Sequence, residues 1–323
     1  MSSTESDAGG LSLAGIALPD ASALVGGVVW LSLLLVGDLD VVEQALTLAP
    51  LVLVPLGVGM AATPPFTGAA RRLYDTSVVI QPVGAILFAA SVVVPFDGGV
   101  AAVLAAPWIV VTGLLALAAV ARASERGLRP LPETVVDTGL AYAVVGAVAL
   151  VLYHLDVTFW FSPVIVLLTA VHFHYAGFVL PVVTGLVGRS ATRQSRVYEA
   201  VATVVLVGPA LIAVGISFSP LVEVLAVTVF TTAVAVLGGY VLVRTAPTRP
   251  RLQGTLVGLS ALALPVSMCL ALGYAVAVYF GFDPFGLSIS RMVRIHGALN
   301  AFGFALVGLL GWRLAVPPRV ERR

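Results

Sequence analysis

Apolar runs about as long as a bilayer-crossing helix recur from residue 21 to residue 313, and no other feature limits the fold so strongly. A helix rising about 1.5 Å per residue needs some twenty such residues to cross a hydrocarbon core about 30 Å thick. Divided at their polar breaks, the runs give ten spans, near 21–36, 41–62, 77–96, 99–122, 138–154, 159–188, 197–218, 220–243, 253–281 and 290–313. They are continuous rather than alternating, which excludes the two-residue period of a membrane β-barrel. Only 10% of residues are charged, against about 25% in a soluble globule, and mean hydropathy is +1.07. The expected fold class is all-α, a polytopic transmembrane helix bundle in the cell (plasma) membrane, with the lipid bilayer as its partner.

The loops support the same count. All 17 basic residues are arginines. Fifteen of them, at 71, 72, 122, 126, 129, 189, 193, 196, 244, 249, 251, 313, 319, 322 and 323, fall in every second loop and at the C-terminus. The intervening loops carry Asp38, Asp40, Asp97, Asp156 and Asp283. By the positive-inside rule the arginine-rich loops and both termini are cytoplasmic. Residues 1–20, which lack the basic start of a signal peptide, are expected as a polar cytoplasmic lead, 21–316 as a single transmembrane domain and 317–323 as a short basic cytoplasmic tail. Arg291 and Arg294 break the alternation, at the outer entrance of the last span. Either a function retains them there, or strong flanking charges elsewhere overrule them, or Arg294 pairs with an outer acid such as Asp283. Ten spans also permit two inverted five-helix halves, although 21–154 and 159–313 share no visible similarity.

Titratable groups inside a membrane are costly and normally face the bundle interior with a partner. Here they are His172 and His174 in the sixth span and His296 in the tenth. His154, Glu43, Glu199 and Glu223 lie near span ends, where interfacial anchoring accounts for them. Residues two apart on a helix point about 200° apart, so His172 and His174 do not offer both rings to one ion. One ring is expected to face the interior and the other to bond a neighbouring helix. In the last span Met292, His296, Asn300 and Gly303 form one stripe, on a helix slimmed by Gly297, Gly303, Gly308 and Gly311.

At about 1.5 Å per residue, His172 and His174 fall near mid-depth, Asn300 just above it and His296 roughly 9 Å above it. A vertical path then runs from Arg291 and Arg294 through His296 and Asn300 to His172 or His174. Its positive mouth favours a small polar or anionic molecule, which makes a transporter or permease the first functional reading. That reading needs no cofactor. The alternative is a metal- or haem-dependent membrane enzyme or redox protein using His172, His174, His296 and His154 as ligands, with Glu43, Glu223 and Asp156 nearby. A structural or lipid-binding role, with the polar residues as interhelical glue, is the third. The net charge of +1 gives no reason to expect nucleic acid, and the single cysteine, Cys269, excludes an intrachain disulfide.

Two segments, "HFHYAGFVLP" (172–181) and "RIHGALNAFGFALVGLLGW" (294–312), resemble the YndJ-like family of bacterial and archaeal integral membrane proteins. The resemblance implies a multi-span fold with a His-rich middle span and a last span opening His-Gly-x-x-Asn-Ala-x-Gly-Phe. It marks His172, His174, His296 and Asn300 as site candidates without assigning them roles. A transporter label attached to the family agrees with the first reading, and some members carry a further soluble region after the membrane part.

Overall fold

The computed structural model describes residues 10–283 and 285–320. Among the described residues, ten helices are long and apolar enough to cross a bilayer. They are α1 (Leu18–Val36), α2 (Val41–Ala61), α3 (Gly68–Val93), α4 (Gly98–Arg126), α5 (Leu131–His154), α6 (Pro163–Ser190), α7 (Arg196–Phe218), α8 (Pro220–Thr248), α9 (Arg251–Phe280) and α10 (Ile289–Arg313). The expected fold class and span count hold. The three largest boundary differences, at the start of α3, the start of α5 and the end of α8, all lie at arginine-bearing ends. Hydropathy registers only the part of a helix that lipid tails surround, whereas the helices themselves continue into the headgroup layer on their charged turns.

Of the expected lead, residues 1–9 lie outside the described residues, and residues 12–17 form a two-stranded antiparallel hairpin, Ser12–Leu13 with Ile16–Ala17. Residues 321–323 of the expected tail also lie outside the described residues. Four helices that open at arginine-poor ends, α2, α4, α8 and α10, carry side-chain caps, which satisfy amide groups that have no partner inside the helix. Asp97 caps α4, Ser219 caps α8 and Ser288 caps α10. Asp40 and Glu43 close a reciprocal capping box on α2: Asp40 Oδ1 accepts from the Glu43 N–H at 2.9 Å, and Glu43 Oε2 accepts from the Asp40 N–H at 2.9 Å.

Several helices widen to π-turns. Three of these, Ala49–Leu53, Tyr175–Val179 and Val241–Thr245, each end two residues before a proline: Pro55, Pro181 and Pro247. A proline ring collides with the carbonyl four residues earlier and has no N–H to offer it. One extra residue in the turn moves that carbonyl aside. Thus Val54 and Ala246 donate five residues back, to the Ala49 and Val241 carbonyls. Pro82, Pro107, Pro209 and Pro265 lie inside helices without such a turn.

The chain falls into two compact units. Of the described residues, unit 1 comprises those up to Gly127 and Leu140–His174; unit 2 comprises Leu128–Gly139 and those from Tyr175 onward. In unit 1, α1 lies so close on α2 that a methyl group on Gly26 would overlap the Leu51 carbonyl. Gln81 of α3 donates from Nε2 to the Pro50 carbonyl at 2.9 Å and accepts the Ser22 hydroxyl of α1. In unit 2, α10 packs on α9 through Gly303, Gly308 and Gly311, which face Ala263, Ser260 and Leu256.

Candidate functional site

In unit 1 the two histidines of α6 meet opposite environments, as helical geometry requires. The His174 ring is fully buried, and Gly146 of α5 leaves room for it, since a Cβ there would lie 2.6 Å from Nδ1. The Trp108 indole of α4 donates to His174 Nε2 at 2.9 Å. An indole nitrogen only donates, so Nε2 is unprotonated and the proton sits on Nδ1, which donates to the Ala170 carbonyl at 2.7 Å. Phe88 meets the ring edge-on at 5.7 Å between centroids. Both nitrogens of His174 are therefore committed, and the ring joins α6 to α4. The burial and the interhelical bond belong to one ring, whereas the sequence pattern suggested dividing them between two.

His172 is exposed and donates from Nδ1 to the Leu168 carbonyl of its own helix at 2.7 Å. Its Nε2 makes no hydrogen bond among the described residues. His154, at the end of α5, approaches the Ser91 hydroxyl at 3.3 Å. Because that hydroxyl donates to the Phe88 carbonyl at 2.7 Å, the histidine is the donor. Among the described residues, no three of His, Cys, Asp and Glu gather as a metal site requires.

Unit 2 brings His296 and Asn300 together around a residue that sequence patterns did not single out, Ser267 of α9. His296 Nδ1 lies 3.0 Å from the Ser267 carbonyl and 2.9 Å from its hydroxyl. A carbonyl only accepts, so Nδ1 carries the proton and Nε2 presents a lone pair. Asn300 Nδ2 faces that lone pair at 3.3 Å, donates to the His296 carbonyl at 2.8 Å and bonds the Ser267 hydroxyl. The amide nitrogen is thus anchored among acceptors, while Asn300 Oδ1 accepts nothing among the described residues. Ser267 is fully buried, whereas His296 and Asn300 remain partly accessible. The segments Val293–Gly297 and Leu299–Leu306 are π-helical without any proline, and this wider winding carries both side chains. A serine inside an apolar helix gives no signal of its own; only the packing of α9 on α10 reveals it.

Arg291 and Arg294, at the start of α10, are both exposed. Arg291 Nη1 donates to the Phe285 carbonyl at 2.8 Å. Arg294 makes no bond among the described residues, and Asp283 accepts instead from the Phe285 N–H at 3.1 Å, so the pairing of Arg294 with Asp283 is not formed.

The second polar centre of unit 2 falls in a region the sequence pattern assigned to a loop. Because α5 begins at Leu131 rather than near residue 138, Glu133 and Asp137 lie inside it, and both are buried. Arg189, at the end of α6, grips Glu133 with two parallel bonds, Nε to Oε1 at 2.7 Å and Nη2 to Oε2 at 2.8 Å. Both side chains are fully buried. Such two-point pairing is what makes a buried guanidinium–carboxylate pair tolerable. Nearby, Tyr198 donates its hydroxyl to the Thr184 carbonyl at 3.2 Å. The Val320 N–H reaches Glu133 Oε1 at 3.3 Å, while Arg249 and Gln253 hold the Ala315 carbonyl at 2.6 and 2.9 Å.

Ten membrane-length helices with polar clusters between them define a multi-pass integral membrane protein. The chain belongs to the YndJ-like protein family, which matches residues 44–304 and so takes in both polar centres. Over 279 residues it is 33% identical to the Uncharacterized membrane protein YndJ of Bacillus subtilis (strain 168), a match covering 86% of this chain and 49% of that protein. The chain therefore spans about half the length of that curated relative. No solved structure matches it.

Proposed function

We propose that this chain binds and passes a small polar molecule across the membrane, with His296 and Asn300 as its contact residues and Ser267 as their support. The observation that carries the reading is the Asn300 side chain: its nitrogen is held among Ser267 and His296 acceptors, and its oxygen is left without a donor. An amide oxygen at mid-span has no lipid group to bond, and leaving it unpaired costs about 1–3 kcal/mol. A solute bearing an N–H or O–H group supplies the missing donor. α10 is centred near Asn300, and mid-depth is where secondary transporters place their sites. The arginine distribution supports a plasma-membrane orientation with both termini in the cytoplasm.

The test is a melting screen of small neutral and anionic solutes on detergent-purified protein, followed by uptake of any stabilising solute into proteoliposomes. Wild type is expected to be stabilised by a hydrogen-bond-donating solute and to accumulate it, and Asn300→Leu to do neither. A solute that stabilises Asn300→Leu equally, or that stabilises wild type without crossing, overturns the reading.

A further inference from the structure

The arginines that break the charge alternation lie at the end of unit 2 where α9 turns into α10, and so does a group of exposed rings. Phe280, Phe282 and Phe285 are 71%, 70% and 69% exposed, and Tyr279 is 41% exposed. Tyr279 and Phe280 touch edge-on at 5.0 Å. Arg291 is steered over this turn by its bond to the Phe285 carbonyl, and Arg294 is exposed and unbonded among the described residues. Asp283, in the same turn, accepts from the Phe285 N–H.

We infer that this turn is a binding surface for the headgroup of an anionic phospholipid, with Arg294 and Arg291 contacting the phosphate and the four rings lying among the headgroups and upper acyl chains. Three observations support it. α10 runs for 25 residues, more than the roughly 20 needed to cross a core about 30 Å thick, which leaves its first turns at headgroup level. Exposed rings are costly in water and favoured at the membrane interface. Two exposed guanidinium groups, neither of them bonded to Asp283, leave positive charge that phosphate complements. Unit 1 provides a contrast: Phe159 and Trp160, 68% and 66% exposed, form an aromatic turn without an arginine. The assignment also explains why arginines persist against the charge bias without placing them in a solute path.

Native mass spectrometry of the detergent-purified protein, titrated with phosphatidylglycerol or phosphatidylcholine, tests this directly. Wild type is expected to retain phosphatidylglycerol in preference. Arg294→Gln is expected to lower its apparent affinity about fivefold, the factor for one cationic contact near an anionic surface, and Arg294→Lys to preserve it. Trp160→Ala is expected to leave the preference unchanged. Equal retention of the two lipids by wild type overturns the inference, as does displacement of phosphatidylglycerol by millimolar inorganic phosphate, which points to a soluble oxyanion. Loss of preference in Arg294→Lys as complete as in Arg294→Gln indicates a merely structural arginine and overturns it too.

Discussion

At the scale of single residues, the two histidines two positions apart have opposite fates, and their substitutions should separate accordingly. His174→Ala removes a buried ring and leaves the Trp108 indole N–H without an acceptor. A stranded buried donor costs about 1–3 kcal/mol and the cavity adds to it, so a loss of about 3–4 kcal/mol is expected in detergent unfolding. His172→Ala should change stability by less than about 0.5 kcal/mol, because the exposed ring bonds only its own helix. The opposed directions were legible from the two-residue spacing; which ring is buried was not, since that depends on where Trp108 and Gly146 fall on other helices. The buried pair behaves differently again. Glu133→Gln or Arg189→Met alone should cost about 3–5 kcal/mol by breaking a buried two-point charge pair. The double variant should recover much of that, and an additive double variant in the same unfolding assay would argue against the two residues acting as a unit.

At the scale of elements, the spans were legible because twenty consecutive apolar residues have few other uses, and their charged ends were not because hydropathy stops where lipid tails stop. The capping box shows the same limit from the other side. Asp40-x-x-Glu43 is a readable helix start, yet by residue type alone Glu43 reads as an interfacial anchor or a metal ligand. Prolines were legible as irregularities but not as π-turns, whose form depends on what a neighbour supplies. At Ala49–Leu53, the next acceptor in the widened register is the Pro50 carbonyl, and Pro55 has no N–H to give it. Gln81 supplies one from α3. Gln81→Leu is therefore expected to cost about 1–3 kcal/mol. In a Pro55→Ala background, where a backbone N–H is restored, the same substitution should cost less by at least about 0.5 kcal/mol. Equal costs in the two backgrounds, measured as a double-mutant cycle, would show that Gln81 serves Ser22 alone.

At the scale of the whole molecule, an even number of spans predicts both ends on one side of the bilayer, and the positive-inside rule predicts the cytoplasmic side. The chain is convenient for testing this, because Cys269 is its single cysteine and is exposed. Cys269→Ser should cost little, about 0.5 kcal/mol or less, and gives a cysteine-free background. Ser162, in the turn between α5 and α6, and Leu128, between α4 and α5, are both exposed and lie on opposite sides of the span pattern. A membrane-impermeant maleimide applied to intact cells should label Ser162→Cys at once and Leu128→Cys only after permeabilisation. The reverse result would place fifteen of the seventeen arginines outside and leave Arg291 and Arg294 as the two inside. The lipid surface at the α9–α10 turn would then face the cytoplasmic leaflet, where anionic headgroups are concentrated. Labelling of both sites from outside would break the alternation between α4 and α6, and with it the ten-span count. The orientation of one helix pair thus determines which leaflet the exposed arginines meet and from which side the proposed solute would reach Asn300.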